Sequence, residues 1–285
     1  MKLLSLRSGR LGLDLAPQAG GAVARFTADA SIDLLRPATP EAIASGRGND
    51  SSCYPLVPFS GRIANGRFVF DGTEIVLKPN WPGVRHPMHG DGWAKPWTVA
   101  RSDGHSADIV YEHDPREGWP FRYRAGQTYR LDGDTLSIGI SIENLENRAV
   151  PAGLGLHPFF VRDADTELSC RTRHVWLTDA EVLPTERIAV PPKWDFSKSR
   201  KVDEVTVDSG FEGWDGRATI MRPKVGLRLE MEATVPFRDV IIYIPPGRPY
   251  FCVEPVSHIP GEIGSTRLEA GATLAGNTVF RLSNL

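Results

Sequence analysis

The stretch FRYRAGQTYRLDGDTLSIGISI, residues 121–142, carries a clear strand pattern within this 285-residue chain. Its second half alternates apolar with polar residues, and the apolar positions are Leu136, Ile138, Ile140 and Ile142. A period of two puts these side chains on one face of a β-strand. The central Asp132-Gly133-Asp134 is a turn signal between two strand-like halves. We therefore expect a β-hairpin with one face on a core.

Similar signals recur along the chain and predict further strands. Residues 67–70 and 73–77 flank Asp71-Gly72, which tolerates the positive φ angles of a type I′ turn, so they predict another hairpin. Leu227, Leu229 and Met231 alternate with charged residues, as in a half-buried strand. Residues 240–244 form an apolar run suited to a sheet interior, and residues 278–282 predict a closing strand.

Helix signals are scarce in comparison. With 28 Gly and 23 Pro spread through the chain, few windows could hold a long helix. Residues 39–44, with Thr39 as cap and Pro40 in the first turn, predict one or two helical turns. No composition shift, repeat or low-complexity tract marks a linker. We expect an all-β fold, a large sandwich or barrel with very little helix, and a single domain over residues 1–285.

Composition narrows the class of function. The formal net charge is −2 with the basic residues dispersed, which argues against a nucleic-acid partner. No apolar run has the length of a membrane span, and Arg7 and Arg10 interrupt the N-terminal apolar stretch, so we expect a cytoplasmic protein. The three cysteines are far apart and form no CxxC motif, which favours reduced, packing roles for Cys53, Cys170 and Cys252.

Three short motifs each frame one ionisable side chain with Gly, Pro or aromatic residues. They are His89 in HPMHG, His157 in GLGLHPFF and Glu254 in FCVEP. Two imidazoles and a carboxylate can move protons in both directions near neutral pH. From the residues alone, His157 could equally be a core histidine, and Glu254 could form a buried salt bridge, for example to Arg62 or Arg248.

Nearby polar residues each admit two roles. His86 and His89 invite a metal site, but Pro87 excludes a regular helix between them and no third ligand stands nearby, so we expect no metal. His86 then has a surface or structural role. Arg62 could bind sugar hydroxyls or an anion, or simply face solvent. Asp208 could accept hydrogen bonds from a polyol or stabilise its own turn.

Taken in order, these segments resemble the aldose 1-epimerase (galactose mutarotase) family. The matching pieces span most of the chain and are PFSGRI (58–63), GRF (66–68), HPMHG (86–90), GLGLHPFF (153–160), VDSGF (207–211) and VEP (253–255). The resemblance implies a β-supersandwich and interconversion of the α and β anomers of a free aldose, without a cofactor. The implied activity is that of an isomerase acting on a small sugar, and we expect a monomer or homodimer.

The resemblance also implies roles for individual residues. Glu254 matches the general base of the family, His157 its general acid and His89 its second active-site histidine. Arg62 and Asp208 match residues that bind substrate hydroxyls. Acid–base ring opening would place the base and the acid on opposite sides of the C1–O5 unit of the sugar.

Two departures from the family pattern bear on the sugar preference. Gly61 stands where the family commonly has Asn, and Asp91 stands where galactose enzymes commonly have a second Gly. An alternative is therefore a hexose-6-phosphate 1-epimerase, in which Arg62, Arg67, Arg85 or Lys95 would meet the anion. A non-catalytic sugar-binding protein would use Trp93, Trp97 or Trp214 as a stacking platform. A metal-dependent enzyme of cupin type would need closely spaced histidines, which the chain lacks.

Overall fold

The strands form the bulk of the protein. The computed structural model describes residues 1–285, apart from the side chain of Glu117. In chain order the strands are β1 (Leu4–Ser8), β2 (Leu11–Ala16), β3 (Ala22–Ala28), β4 (Ile32–Asp33), β5 (Cys53–Leu56), β6 (Arg67–Phe70), β7 (Thr73–Val76), β8 (Thr98–Ser102), β9 (Ser106–His113), β10 (Tyr123–Asp132), β11 (Thr135–Asn144), β12 (Gly155–Val161), β13 (Glu167–Cys170), β14 (His174–Thr178), β15 (Pro184–Ala189), β16 (Phe196–Lys201), β17 (Val207–Glu212), β18 (Arg217–Arg222), β19 (Leu227–Ala233), β20 (Asp239–Ile244), β21 (Tyr250–Val256) and β22 (Thr273–Asn284).

Helical structure is confined to short segments, as expected. The helix α1 (Pro40–Ala44) is capped by Thr39, whose hydroxyl accepts a hydrogen bond from the Ala42 N–H. This confirms the predicted turn or two of helix. The 3₁₀ segments are Ala64–Gly66, Gly92–Ala94, Pro115–Glu117, Pro192–Trp194, Val202–Glu204, Pro223–Val225 and Ile263–Ser265.

The strands assemble into two large antiparallel sheets and a small hairpin. The first sheet has 11 strands in the order β1-β2-β3-β5-β12-β21-β20-β17-β14-β15, with β4 paired to β3. The second has nine strands in the order β16-β13-β18-β19-β22-β11-β10-β9-β8, and β6 pairs with β7 separately. The predicted all-β class is therefore confirmed.

The hairpins predicted from sequence are present. Strands β10 and β11 pair from Tyr123–Asn144 to Asp132–Thr135, so two residues, Gly133 and Asp134, form the turn. Asp71 and Gly72 have φ angles of 48° and 73°, which fits the predicted type I′ turn between β6 and β7. The apolar faces point inward as the alternation predicts, with Leu136, Ile138, Ile140 and Ile142 all at most 1% exposed.

The two large sheets face each other across an aromatic core. Phe280 of β22 packs on Phe26 of β3 at 6.2 Å and on Phe160 of β12 at 6.3 Å between ring centroids. These contacts join the second sheet to the first, which is the arrangement of a β-sandwich. Burying such large rings is the main favourable contribution to folding.

The three cysteines have the surroundings that their spacing predicts. Cys53, Cys170 and Cys252 are all free and buried, which confirms their packing role. Within the described residues no helix is long and apolar enough to span a membrane.

Polar residues lie on the outer face of the first sheet, because side chains alternate between the two faces of each strand. On β12, Leu156 and Phe160 belong to the inter-sheet core, whereas Phe159 lies in a second apolar cluster on the opposite face. On β21, Phe251 and Val253 face the core, and Cys252 faces the second cluster. The same alternation places His157 and Glu254 on that second face.

Candidate functional site

Five adjacent strands, β5, β12, β21, β20 and β17, form the floor of the site. His157 pairs with Tyr54 across β12 and β5, and Glu254 pairs with Ile241 across β21 and β20. The flanking pairs Gly155–Val256 and Phe159–Cys252 put His157 opposite Glu254. Because one register row crosses these strands, residues distant in sequence are brought side by side.

His157 and Glu254 contact each other directly. The distance from His157 Nε2 to Glu254 Oε1 is 3.2 Å, and the residues are 7% and 2% exposed. The imidazole packs beside two rings that also contact each other, with its centroid 4.6 Å from that of Tyr54 and 4.5 Å from that of Phe159. From the sequence, His157 could have been a core histidine and Glu254 could have paired with an arginine. In the structure His157 and Glu254 pair with each other.

Burial shifts the pKa of both partners toward their neutral forms. It raises the pKa of the Glu254 carboxyl well above its usual value, with Asp208 adding to the rise and Arg62 opposing it. Burial also lowers the pKa of His157 well below its usual value, and nearby His89 and Arg36 lower it further. A carboxylic acid next to a neutral imidazole is one proton transfer away from a carboxylate and an imidazolium.

His89 reaches the site from a loop above the sheet. Its backbone adopts a positive φ of 61°, and its N–H donates to Gly61 O at 2.9 Å. The Gly61 N–H donates in return to His89 Nδ1 at 3.2 Å. Since Nδ1 accepts this bond, the neutral ring carries its proton on Nε2. Asn80 supports the loop by donating to Met88 O and Gly90 O.

The position of His89 makes it a neutral hydrogen-bond donor. Its ring lies 5.5 Å from the His157 ring and 6.0 Å from the Tyr54 ring. Burial lowers the pKa of His89 to about 3, with the charge of Arg62 adding to the effect. The other histidine of the motif, His86, is buried and accepts a hydrogen bond from the Asn65 N–H, so its role is structural.

Arg62 and Asp208 complete the predicted set. Both line the same pocket as His89, His157 and Glu254. Asp208 lies within strand β17 rather than in a turn, and burial raises its pKa while Arg62 counteracts that rise. All five residues singled out from the sequence therefore border one cavity of about 260 Å³, which we call the site pocket.

The packing around residue 61 explains why this chain has Gly61 where the family commonly has Asn. It has a φ of 68°, and a Cβ atom built there would lie 2.4 Å from Pro260 Cγ. The Asn that the family commonly carries would need this space, because its side chain begins with that Cβ. In this chain Pro260, itself part of the wall of the site pocket, occupies it.

Several residues of the site pocket carry no recognisable signal in the sequence. Arg36 lines the pocket with its guanidinium carbon 3.8 Å from the Phe159 ring centroid and 4.6 Å from that of Tyr250. The indoles of Trp81 and Trp176 also border it. None stands in a distinctive motif, so only the fold reveals them. The bridge between Leu35 and Phe160, one residue before Arg36, was not predictable from sequence.

Some expected binding residues lie elsewhere. Trp93, Trp97 and Trp214 are buried, and each indole N–H donates to a backbone carbonyl, so the predicted stacking platform is wrong. Arg67 is paired with Glu74 at 2.9 Å and Arg85 with Glu181 at 2.7 Å. Neither of these arginines nor Lys95 is among the residues that line the site pocket.

A metal ion is the other chemistry these residues could support. His157, Cys252 and Glu254 each offer a ligand atom, and these atoms lie within 4.8 Å of one another. Burial raises the pKa of the Cys252 thiol and of the Glu254 carboxyl well above their usual values. A cation would have to displace both protons, so the trio suits proton transfer better than ligation.

Comparison with known proteins identifies relatives over the whole chain. The family model described as Aldose 1-epimerase matches residues 2–281. The protein YphB of Escherichia coli (strain K12), described as uncharacterized, is 34% identical over 270 residues, which cover 92% of this chain and 90% of YphB.

The fold of this chain also resembles those of solved structures. A crystal structure from Escherichia coli K12, provisionally described as an aldose 1-epimerase, has a TM-score of 0.91 at 32% identity and covers 100% of this chain and 99% of its own. A galactose mutarotase-like protein from Clostridium acetobutylicum has a TM-score of 0.85 at 17% identity, covering 99% and 95%. The second likeness concerns the fold alone.

Proposed function

The chain belongs to the aldose 1-epimerase family, and we propose that it interconverts the α and β anomers of a free aldose by acid–base opening and closing of the sugar ring. The observation that carries the proposal is the 3.2 Å contact between His157 and Glu254 at the floor of the site pocket. That pocket, about 260 Å³, is just below the usual range for drug-sized ligands, which suits a molecule as small as a monosaccharide.

The proposed reaction moves two protons and returns them. The Glu254 carboxylate accepts the proton of the anomeric hydroxyl as the C1–O5 bond breaks. The His157 imidazolium donates its proton to the ring oxygen, which leaves an open-chain aldehyde. After rotation about the C1–C2 bond, the O5 hydroxyl attacks the other face of the carbonyl. His157 recovers its proton from O5 while Glu254 returns one to O1.

The pair can begin this cycle without an external acid. A neutral Glu254 and a neutral His157 hold the same number of protons as the ionised pair. Transfer across their contact gives both reactive forms at once. Sugar hydroxyls bound beside them would replace the water lost on burial and favour ionisation.

The other three residues are proposed to bind and orient the sugar. His89, neutral and with Nε2 as donor, would stabilise negative charge that develops on an oxygen during ring opening. Arg62 would donate to sugar hydroxyls and Asp208 would accept from them. A cationic donor and an anionic acceptor in the same pocket suit sugar hydroxyls, because each hydroxyl both donates and accepts.

The test is direct measurement of anomer exchange. Single anomers of a panel of neutral aldoses are followed to equilibrium by polarimetry, and exchange NMR is used for the equilibrated mixtures. We expect at least one aldose to equilibrate faster in proportion to enzyme concentration. A flat response to every sugar, with binding retained, would instead identify a non-catalytic sugar-binding protein.

A sugar with an anionic substituent is a second candidate substrate, favoured by Arg36. This arginine lines the site pocket, stacks on two aromatic rings and donates through Nη2 to Ser51 O at 2.8 Å. Among the described residues no carboxylate lies within salt-bridge distance of it. A cation held at a pocket wall without a protein counter-ion can pair with an anion on the ligand.

Arg36→Met distinguishes the two substrates. Met keeps an unbranched apolar stem against Phe159 and removes the charge. For a 6-phosphate or other anionic sugar, kcat/KM should fall about 10- to 100-fold in the variant, because charge-assisted pairing is lost. For a neutral aldose it should change less than about threefold. Equal losses on both substrates would exclude anion recognition by Arg36.

A further inference from the structure

Asp91, one of the two departures from the family pattern, lies at the end of the loop that presents His89. Its carboxylate lies away from the site pocket, and Asp91 is not among the residues that line that pocket. Oδ1 accepts a hydrogen bond from the Tyr123 hydroxyl, and Oδ2 lies 2.9 Å from His113 Nδ1. Tyr123 and His113 belong to β10 and β9 of the second sheet.

The surroundings of His113 favour its doubly protonated form. Nε2 lies 2.7 Å from the Trp119 carbonyl oxygen, which can only accept, so this nitrogen carries a proton. Nδ1 lies 2.9 Å from Asp91 Oδ2 and 3.0 Å from the Tyr111 hydroxyl, and without a proton its lone pair would repel the carboxylate. The His113 ring stacks on Tyr123 at 4.8 Å, and both His113 and Asp91 are at most 9% exposed.

The backbone between Asp91 and His89 is tightly packed, so the position of Asp91 affects that of His89. Gly90 has a φ of 67°, and a Cβ there would lie 2.0 Å from Val57 O. The N–H groups of Asp91 and Gly92 both donate to Val57 O at 3.1 Å. His89 itself holds a positive φ of 61°, a conformation that is uncommon in residues other than glycine.

We infer that Asp91, His113 and Tyr123 form a buried clamp that ties the His89 loop to the second sheet, and that they act as positioning residues for the reaction. The inference rests on the proposed function for its effect on rate. Misplacing a site residue by about 1 Å can cost about 100-fold in rate, so a loosened loop should lower kcat more than it changes KM.

Other charged groups around His113 set its titration. Asp91 and the Trp119 carbonyl raise its pKa, while burial, the largest influence, and Lys95 lower it, and the net direction is upward. Asp114 interacts with it electrostatically, and the Tyr111 hydroxyl lies 3.0 Å from Nδ1. Because the folded pKa is raised, the clamp is complete below the ordinary histidine pKa and is lost as pH rises through the folded value.

The clamp is tested in the full-length protein with Asp91→Asn, and with Asp163→Asn as matched control. Asp163 pairs with the buried Arg222 at 2.7 Å and does not line the site pocket, so both variants remove one charge from a buried pair. Asp91→Asn should lower kcat about 10- to 100-fold with KM within about threefold. Asp163→Asn should keep kcat within about twofold. Equal kcat losses in both variants would overturn the clamp.

Histidine NMR gives a readout that does not depend on turnover. The His113 ring resonance, assigned from its loss in His113→Asn, should titrate at lower pH in Asp91→Asn than in wild type. The His89 ring resonance should shift or broaden in the same variant and not in Asp163→Asn. If no sugar is turned over, the proposed function fails while these resonances still decide the clamp. An unchanged His113 titration and an unchanged His89 resonance would overturn it.

Discussion

Replacing Glu254 with Gln should lower the anomerisation rate by about 10²- to 10⁴-fold and leave the protein folded. A positioned acid–base group contributes about this factor, and Gln keeps the shape of the side chain but cannot accept the anomeric proton. Gln can still hydrogen-bond His157 across the 3.2 Å contact. Stopped-flow polarimetry or exchange NMR measures the rate, and thermal unfolding reports the fold.

Asp239→Asn is the matched control for Glu254→Gln. Asp239 lies on the neighbouring strand β20 and does not line the site pocket, and burial, together with Glu212 and Glu262, raises its pKa from 3.8 to about 6. A raised folded pKa means that stability falls as pH rises from about 4 through the folded value. In each variant the free energy of unfolding should therefore fall less with rising pH than it does in wild type. A wild-type rate in Glu254→Gln would reject Glu254 as the base.

Replacing His157 with Ala should lower the rate by about 10²- to 10⁴-fold, and added imidazole should restore part of it. The side chain is the proposed proton donor to the ring oxygen, and its removal leaves a space beside Tyr54 and Phe159 that can take a free imidazole. The variant should also be less stable, because a buried ring with two stacking partners is lost.

Phe159→Leu separates the chemical role of His157 from its packing role. Phe159 lies on the same strand and the same face as His157. Its replacement by Leu removes ring contacts with His157 and Tyr54. Its variant should lose stability, and its rate should not respond to imidazole. The double variant Glu254→Gln with His157→Ala should be about as slow as the slower single variant, since the pair acts as a unit. Additive losses, or no rescue, would contradict the paired mechanism.

The strands were largely predictable, because a strand with one buried face alternates apolar and polar residues in its sequence. The alternation at residues 136–142 and the Asp71-Gly72 turn required no long-range information. The single-domain organisation and the roles of the site residues remain predictions. The five candidate residues came from ordered motifs, and the structure brings all of them to one pocket.

What could not be predicted depends on contacts between distant segments. Trp93 resembles a ligand platform in sequence, but the fold buries it with its N–H on the Gly90 carbonyl. Arg36 has no distinctive motif, and it enters the site pocket because its strand neighbour bridges to β12. Asp91 looked like a change in sugar preference, whereas the fold turns it toward His113 on the other sheet.

Local sequence was enough for the β-rich class and the short helix, because these depend on periodicity and turn chemistry, whereas the roles of Glu254 and His157 as base and acid are predictions from the family motifs. The tertiary structure was needed to show that Glu254 and His157 are partners, which cations line the site pocket, and what braces His89. Register across β5, β12, β21 and β20 fixes which of these side chains meet, because the strands are distant from one another in sequence. Burial at that meeting point then sets their pKa values.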